Sequence, residues 1–429
     1  MRKTILTVLC LMLASMMLFA NGSKDSSSSE KVVTTVCRSS YYTEEWYNAM
    51  NAAFEAETGI HVDVQPTPGN DEDHDVKVNL DLLAGGDIDV IPSLGPKHYM
   101  TRAEAGYFVA LNDLVPDAAV TFGSNLPVED DGNYYGLPFK QEMYCVFYNK
   151  DLFDGAGVSY PAGSWTWDDY VEIAKKITDP KKGIYGSFMN ADSPWYFLPA
   201  KQQDVDPYKA DGSSNFDAPE FAAAAQFYYD LGNVLKVQPS VEELSYEGAS
   251  WNYYALAGDH LAMFPQGNWF TRLLNSQADY PHDWKYGVAP MPAAENGANN
   301  LVSMAYVSIN KNAAHPDEAL VYMLWLAENQ WRYEGGIPAM AEFTEEEKLA
   351  VFGSIAEASD GQVTVDDLYN ALIANGLGTA QSDIVGIASG EYNSICNEEF
   401  QAFNMDLQSL ETTIANIVKR ENEAIANAE

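Results

Sequence analysis

The first folded stretch of the chain reads as strand, helix and strand in immediate succession, and that order limits what can follow. Residues 31–37 (KVVTTVC) are β-branched and bounded by a polar turn, the make-up of a strand. Thr43 is placed to cap a helix, with Glu44 and Glu45 in its positive first turn. Trp46, Ala49, Met50, Ala53 and Phe54 then recur at helical spacing, giving one apolar face. Gly59 stops the run, and Ile60, Val62 and Val64 alternate as a second strand. The pattern repeats in a stripe of Val76, Asn79, Leu80 and Leu83, a Gly85–Gly86 break, and an apolar strand at 88–91. Strands joined by helices pair in parallel, so the expected fold class is α/β. Residues 330–429 read instead as mainly helical, in runs at 345–359, 364–374 and 398–428. No fixed-period repeat is visible, which argues against a solenoid.

Length and charge narrow the function. A chain of 429 residues suggests about two domains at roughly 150 residues each. With 62 acidic against 24 basic residues the formal charge is −38. Such a chain lacks the basic footprint that nucleic acid or an anionic lipid surface requires. Residues 1–20 read as a secretory signal: Arg2 and Lys3, an apolar stretch, then small residues up to Ala20. An uncleaved N-terminal anchor is the alternative. Cleavage would remove two positive charges and leave −40. The Ser-rich segment 21–31 reads as a flexible linker, so the expected location is periplasmic or cell-surface.

Chemistry-bearing motifs are sparse. Cys37, Cys145 and Cys396 remain after cleavage, as one pair plus a thiol or as three buried thiols. Neither HExxH nor CxxC occurs, so no metal site is expected. The acidic stretches 71–75 and 129–131 read as solvated loops, with calcium as the sharper alternative, although EF-hand spacing is missing. GxSxG, Walker and GxGxxG fingerprints are also missing, and no cofactor is expected.

Several segments, in order, carry a resemblance. Residues 54–64 (FEAETGIHVDV), 82–94 (LLAGGDIDVIPSL), 106–114 (GYFVALNDL), 136–153 (GLPFKQEMYCVFYNKDLF), 165–178 (WTWDDYVEIAKKIT), 257–269 and 286–292 (YGVAPMP) are similar to extracellular solute-binding proteins of carbohydrate ABC transporters, the family that includes maltose-binding protein. Together they span about residues 32–340, and the remaining residues fit only as a helical segment. The resemblance implies an α/β, two-lobed clamp of the periplasmic-binding-protein type II kind, with ligand in the cleft. It also implies three passages between lobes, near 139–144, 287–291 and 324–329. An N-lobe of 32–140 plus 290–328 and a C-lobe of 141–289 plus 329–429 would follow.

The expected ligand is a neutral mono- or oligosaccharide, and the expected partner a membrane ABC permease, with the receptor a monomer. A secreted glycoside hydrolase, or a sugar sensor without a transporter, are the alternatives. A sugar needs aromatic plates against its C–H faces and polar groups around its rim. The resemblance places Trp269, with Gly267 before it, at a stacking position, and Trp195 at a second aromatic position. Trp251 is a third candidate, although with Tyr254 and Ala255 it could be a helix face. Glu142 lies in the first crossing segment, where a carboxylate would accept sugar hydroxyls. Tyr41 and Tyr42 follow the first strand, and Ser303 and Met304 fall in a small-residue loop of the family pattern. There Asn299 and Asn300 replace the usual glycines. Ser93, Leu94 and Gly95 close the 88–91 strand at its carboxyl end, a position typical of α/β ligand sites. The negative charge disfavours anionic ligands, unless a local cation such as Lys140 overrules it.

Overall fold

The computed structural model describes residues 31–68, 71–129, 131–247, 259–297, 299–340, 344–373 and 379–428. Strand β1 (Val32–Arg38) leads through a single helical turn at Ser39–Tyr42 into helix α1 (Glu45–Thr58), followed by β2 (His61–Thr67). Helix α2 (Asp71–Leu83), β3 (Val90–Ser93) and α3 (Pro96–Glu104) complete the opening units. The long strand β4 (Leu137–Asn149) is followed by α4 (Trp167–Ile177), α5 (Leu198–Gln202) and α6 (Pro219–Tyr229). Next come β5 (Met263–Gly267), α7 (Phe270–Asn275), β6 (Tyr286–Ala289), β7 (Asn300–Ile309) and α8 (Pro316–Glu334). The last part holds α9 (Glu345–Ala358), α10 (Val365–Leu372), β8 (Thr379–Gln381), α11 (Ser389–Asn404) and α12 (Leu410–Ala428).

The opening reads as expected: β1 pairs in parallel with both β2 and β3. Gly59 closes α1 in the left-handed conformation, at φ 71°. Beyond β3 the sheet changes character. Strand β7 runs antiparallel to β3 and to β4, and β4 is antiparallel to β5 and β6. A carboxylate ties the parallel part together. Asp89, fully buried, accepts from the Thr34 backbone N–H at 2.7 Å and its hydroxyl at 2.8 Å, and from the His315 N–H at 2.7 Å. One side chain thus joins β1, the start of β3 and the start of α8.

The apolar core is divided between two lobes. One set, including Val33, Phe54, Val90, Phe139, Val307 and Trp325, packs around β1, β3 and the first residues of β4. The other sets gather Tyr144, Trp195, Phe221 and Phe400, and Phe147, Phe264, Phe352 and Leu368, on the two sides of the later part of β4. Helix α4 is anchored as its sequence suggests, by a reciprocal Thr166–Asp169 capping box. Cys37, Cys145 and Cys396 are all buried free thiols.

Four local expectations need correction. Helix α1 starts at Glu45, without a Thr43 cap; of its expected face Met50 and Phe54 are buried and Trp46 and Ala53 are half-buried on the core, while Ala49 is exposed and Tyr47 and Asn51 are buried in addition. Helix α2 starts within the acidic stretch 71–75 and presents Val76, Leu80 and Leu83 to solvent, burying His74, Val78 and Leu82. The rotation follows from polar contacts. Asp75 is paired at 2.6 Å with buried Arg102, which also holds Asn79 and Ser93, so this face of α2 must turn inward. The tail read as a run over 398–428 is two packed helices, α11 and α12, joined through Asp406 at positive φ. Strand β8, between α10 and α11, was not anticipated.

Helix α12 carries a buried carboxyl. Glu421 is fully buried, and among the described residues neither of its carboxyl oxygens has a hydrogen-bond partner. Burial, reinforced by Glu391, pushes its pKa up to about 8. The unfolded carboxyl titrates near ~4.3, so the folded chain binds the extra proton between the two values. Stability should therefore fall as pH rises from about 4.5 to 8. Glu421→Gln should remove this slope and raise stability at pH 8; urea denaturation at pH 5 and pH 8 measures both effects.

Candidate ligand-binding cleft

Alternation along β4 arranges the site. Successive side chains of a strand point to opposite faces, so Lys140, Glu142 and Tyr144 share one face while Met143, Cys145 and Phe147 enter the core behind it. The early half of β4 pairs with β7, setting Glu142 opposite Ser303 and Gln141 opposite Met304. The later half lies between β5 and β6, setting Tyr144 opposite Gly267. One strand thus carries a charged group and an aromatic group to the seam between the lobes.

The charged group centres on Lys140. Its buried ammonium lies 2.7 Å from Glu142 Oε1 and 2.6 Å from Glu334 Oε1, the latter at the end of α8. Burial alone would lower the ammonium's pKa, but the two carboxylates more than reverse that and hold it charged. Burial likewise opposes ionisation of Glu334, and Lys140 outweighs it, keeping its pKa below the usual value. Tyr41 donates to Glu334 Oε1 at 3.4 Å and accepts from Arg38 Nη2 at 2.6 Å. Arg38 also lies over the Tyr41 ring, 4.2 Å from its centroid. Across the seam, Arg272 of α7 pairs with Glu44, whose other oxygen accepts from the Trp46 indole at 3.0 Å.

The aromatic group centres on Tyr144. Trp195 and Trp269 present edges to it at centroid distances of 5.6 and 5.4 Å. Gly267 allows this arrangement. A Cβ there would lie 1.5 Å from the Trp269 ring, so any other residue would push the indole away. Near the Tyr144 hydroxyl, Asp383 accepts from Ser303 at 2.9 Å and Ser382 at 3.1 Å. Burial, then Asp383, raises the Tyr144 pKa, with Glu142 and Asp192 adding smaller contributions.

The residues expected from sequence separate into groups. Trp195, Gly267 and Trp269 meet around Tyr144, and Glu142, Ser303 and Tyr41 join the neighbouring polar array. Tyr42 is 44% exposed and Met304 is buried in the core beside β3. Ser93 is fully buried, with its hydroxyl taken by Arg102 at 2.9 Å. Leu94 packs on the first lobe's core and, with Tyr41, Arg38 and Gln330, lines a small cavity there. Gly95 precedes Pro96, the first residue of α3. Trp251 lies outside the described residues. Sequence reasoning missed Tyr144, Glu334, Arg272 and Asp383. The i, i+2, i+4 register of Lys140, Glu142 and Tyr144 was a usable signal for the first; the others carry no local signature.

Comparison with known proteins decides the family. The family described as bacterial extracellular solute-binding protein matches residues 39–333. The chain belongs to that family. A putative binding protein of Brucella abortus is 27% identical over 342 residues, covering 75% of this solute-binding protein and 76% of its relative. An arabinooligosaccharide-binding protein of Halalkalibacterium halodurans is 30% identical over 183 residues, 41% of this chain and 38% of its own. Among solved structures, an ABC substrate-binding protein from Listeria monocytogenes in complex with cycloalternan superposes with TM-score 0.76 at 21% identity, covering 93% of this chain and 100% of that one. This likeness establishes the two-lobed α/β fold. Solute-binding proteins of this kind capture ligands and are not enzymes. No described helix is long and apolar enough to cross a membrane.

The two ion-pair sites should differ sharply in strength. Lys140→Met strands two carboxylates in a buried setting and should cost about 3–5 kcal/mol. Arg272→Gln breaks a pair whose side chains are 34% and 30% exposed and should cost at most about 1 kcal/mol. Equilibrium unfolding in denaturant compares the two.

Proposed function

We propose that this protein is an exported receptor that captures a neutral carbohydrate between its lobes and delivers it to a membrane ABC permease. The observation that carries this reading is the Tyr144–Trp195–Trp269 cradle beside Glu142 and Asp383. Aromatic rings suit the C–H faces of a sugar, and carboxylates suit its hydroxyl rim. Lys140 is occupied by two carboxylates, so it does not offer a free positive charge to an anionic ligand. The names of relatives that bind arabinooligosaccharide or cycloalternan support the same ligand class.

In this reading residues 1–20 are the export signal, 21–31 a linker to the periplasmic or cell-surface body, and the receptor a monomer. The N-lobe comprises about 32–140 and 290–328, and the C-lobe about 141–289 and 329–429. Core membership favours moving the second passage to 301–302, because Met291 and Leu301 pack with Tyr144 whereas Val302 and Met304 pack beside β3. Trp325 and Trp331 fall in different cores, which supports the third passage.

A thermal-shift screen of mono- and oligosaccharides tests the ligand class, because a bound ligand raises Tm by mass action. Trp269→Ala should weaken binding of the stabilising sugar about 10- to 100-fold, losing roughly 1.4–2.8 kcal/mol of binding free energy, while leaving unliganded Tm within a few degrees. Unchanged affinity in titration calorimetry would remove Trp269 from the site.

A further inference from the structure

A groove of about 590 Å³ opens between the starts of helices α4 and α6 and shares no residue with the Tyr144 cradle. Its volume falls within the roughly 300–1,000 Å³ that ligand sites occupy. The floor is apolar: Trp167 and Phe227 meet edge to face at 5.3 Å between centroids, with Ala224 beside them. The rim is acidic. Asp168 in the first turn of α4, Glu220 in the first turn of α6 and Glu295 in the 290–299 segment line it, and no described lysine, arginine or histidine does. Among the described residues none of these three carboxylates has a hydrogen bond or an ion pair. The two helix starts account for part of the arrangement, since each holds about half a positive charge. Three carboxylates outweigh two such ends, and Glu295 lies on no helix. The wall that carries Glu295 is fixed in place. Ala293 donates its N–H to the Trp165 carbonyl at 2.7 Å, and the Trp165 indole donates to the Pro290 carbonyl at 2.8 Å. Gln202 accepts from the Trp167 indole at 2.7 Å and donates to the Pro292 carbonyl at 3.1 Å. The groove is thus preformed, which lowers the cost of filling it.

We propose that this groove is the docking site for a basic, partly apolar segment of the membrane permease. Arginine or lysine side chains of that segment meet the Asp168, Glu220 and Glu295 rim, while a neighbouring apolar side chain covers the Trp167–Phe227 floor. The partner's identity as the permease rests on the receptor reading; the chemistry of its segment rests on the groove. Charge complementarity favours this occupant. A second copy of the chain would bring a net charge of −38 to an acidic rim. A neutral sugar would cover the aromatic floor and leave the rim charge unanswered, whereas a guanidinium answers the rim and its aliphatic stem covers the floor. Because groove and cleft share no residue, the receptor can dock while it holds its sugar.

The test uses the mature chain and two fluorescein-labelled pentapeptide probes, Arg-Leu-Arg-Leu-Arg and Glu-Leu-Glu-Leu-Glu. Fluorescence anisotropy is read at about 150 mM salt, where charges more than ~8 Å apart are screened. The wild type should bind the basic probe and not the acidic one. Asp168→Asn, Glu220→Gln and Glu295→Gln combined should weaken binding about tenfold, a loss of about 1.4 kcal/mol. Ala223→Arg, at an exposed position of α6 that lines the groove, should weaken it as much by filling the space. A control that removes the same charge elsewhere, Asp63→Asn with Asp113→Asn and Asp117→Asn, should change affinity less than about twofold. Every variant should keep the unliganded Tm within a few degrees and keep its stabilisation by sugar. Failure of the basic probe to bind the wild type, unchanged affinity in the groove variants, or equal weakening by the control overturns the docking site. So does loss of sugar stabilisation in Ala223→Arg, which would make the groove a sugar site. The receptor reading fails separately: if no sugar stabilises the wild type while the basic probe behaves as described, the groove stands as a basic-peptide site and its assignment to the permease falls.

Discussion

The structure depends on one strand serving two partnerships. Strand β4 pairs with β7 in its first half and with β5 and β6 in its second, and the register shifts between Pro138 and Lys140. Because strand side chains alternate, a single register choice puts Lys140, Glu142 and Tyr144 on one face. It also commits Phe139 to the first lobe's core and Phe147 to the second's. A slip of one residue would turn Lys140 into the core and remove Tyr144 from between the two tryptophans. The apolar residues that hold the register are thus the same ones that keep the cleft's polar groups facing each other.

Charge at the seam is locally balanced despite the acidity of the whole chain. Arg38, Lys140 and Arg272 face Glu44, Glu142 and Glu334 within one continuous array of ion pairs, hydrogen bonds and the Tyr41 ring. The three cations are committed to protein partners, so the array fixes side-chain positions more than it attracts a charged ligand. Much of the acidic excess lies elsewhere, on exposed positions such as Glu423 of α12 and in the loop around Asp131, whose carboxylate accepts from the Asn133 N–H and the Tyr135 hydroxyl. Net charge therefore constrains the partners of the protein, while the cleft is governed by a handful of placed groups.

What the sequence revealed was what local chemistry controls. The opening parallel strands, the Gly59 stop and the Thr166 capping box follow from patterns spanning a few residues. Gly267 and Trp269 were legible for a similar reason, since two residues in one short motif set the position of a ring. The inward face of α2 was not, because buried Arg102 lies outside the helix and holds Asp75 and Asn79 of α2 together with Ser93 of β3. Glu334 and Asp383 were invisible for a stronger version of that reason. Their partners Lys140 and Ser303 are 194 and 80 residues away in sequence, and neither carboxylate differs locally from any other on a helix end or a loop.

The strength of the contacts between lobes bears on how such a clamp must work. Arg272 and Glu44 join the lobes through a half-exposed pair worth at most about 1 kcal/mol. Helices α3 and α11 also touch. Moving a two-state equilibrium from mostly open to mostly closed requires about 5.5 kcal/mol of differential stabilisation. A rim ion pair supplies a minor part of that, and it can set the approach of the lobes without locking them. In the proposed reading the remainder comes from a ligand that joins the Tyr144, Trp269, Glu142 and Asp383 surface of one lobe to the other.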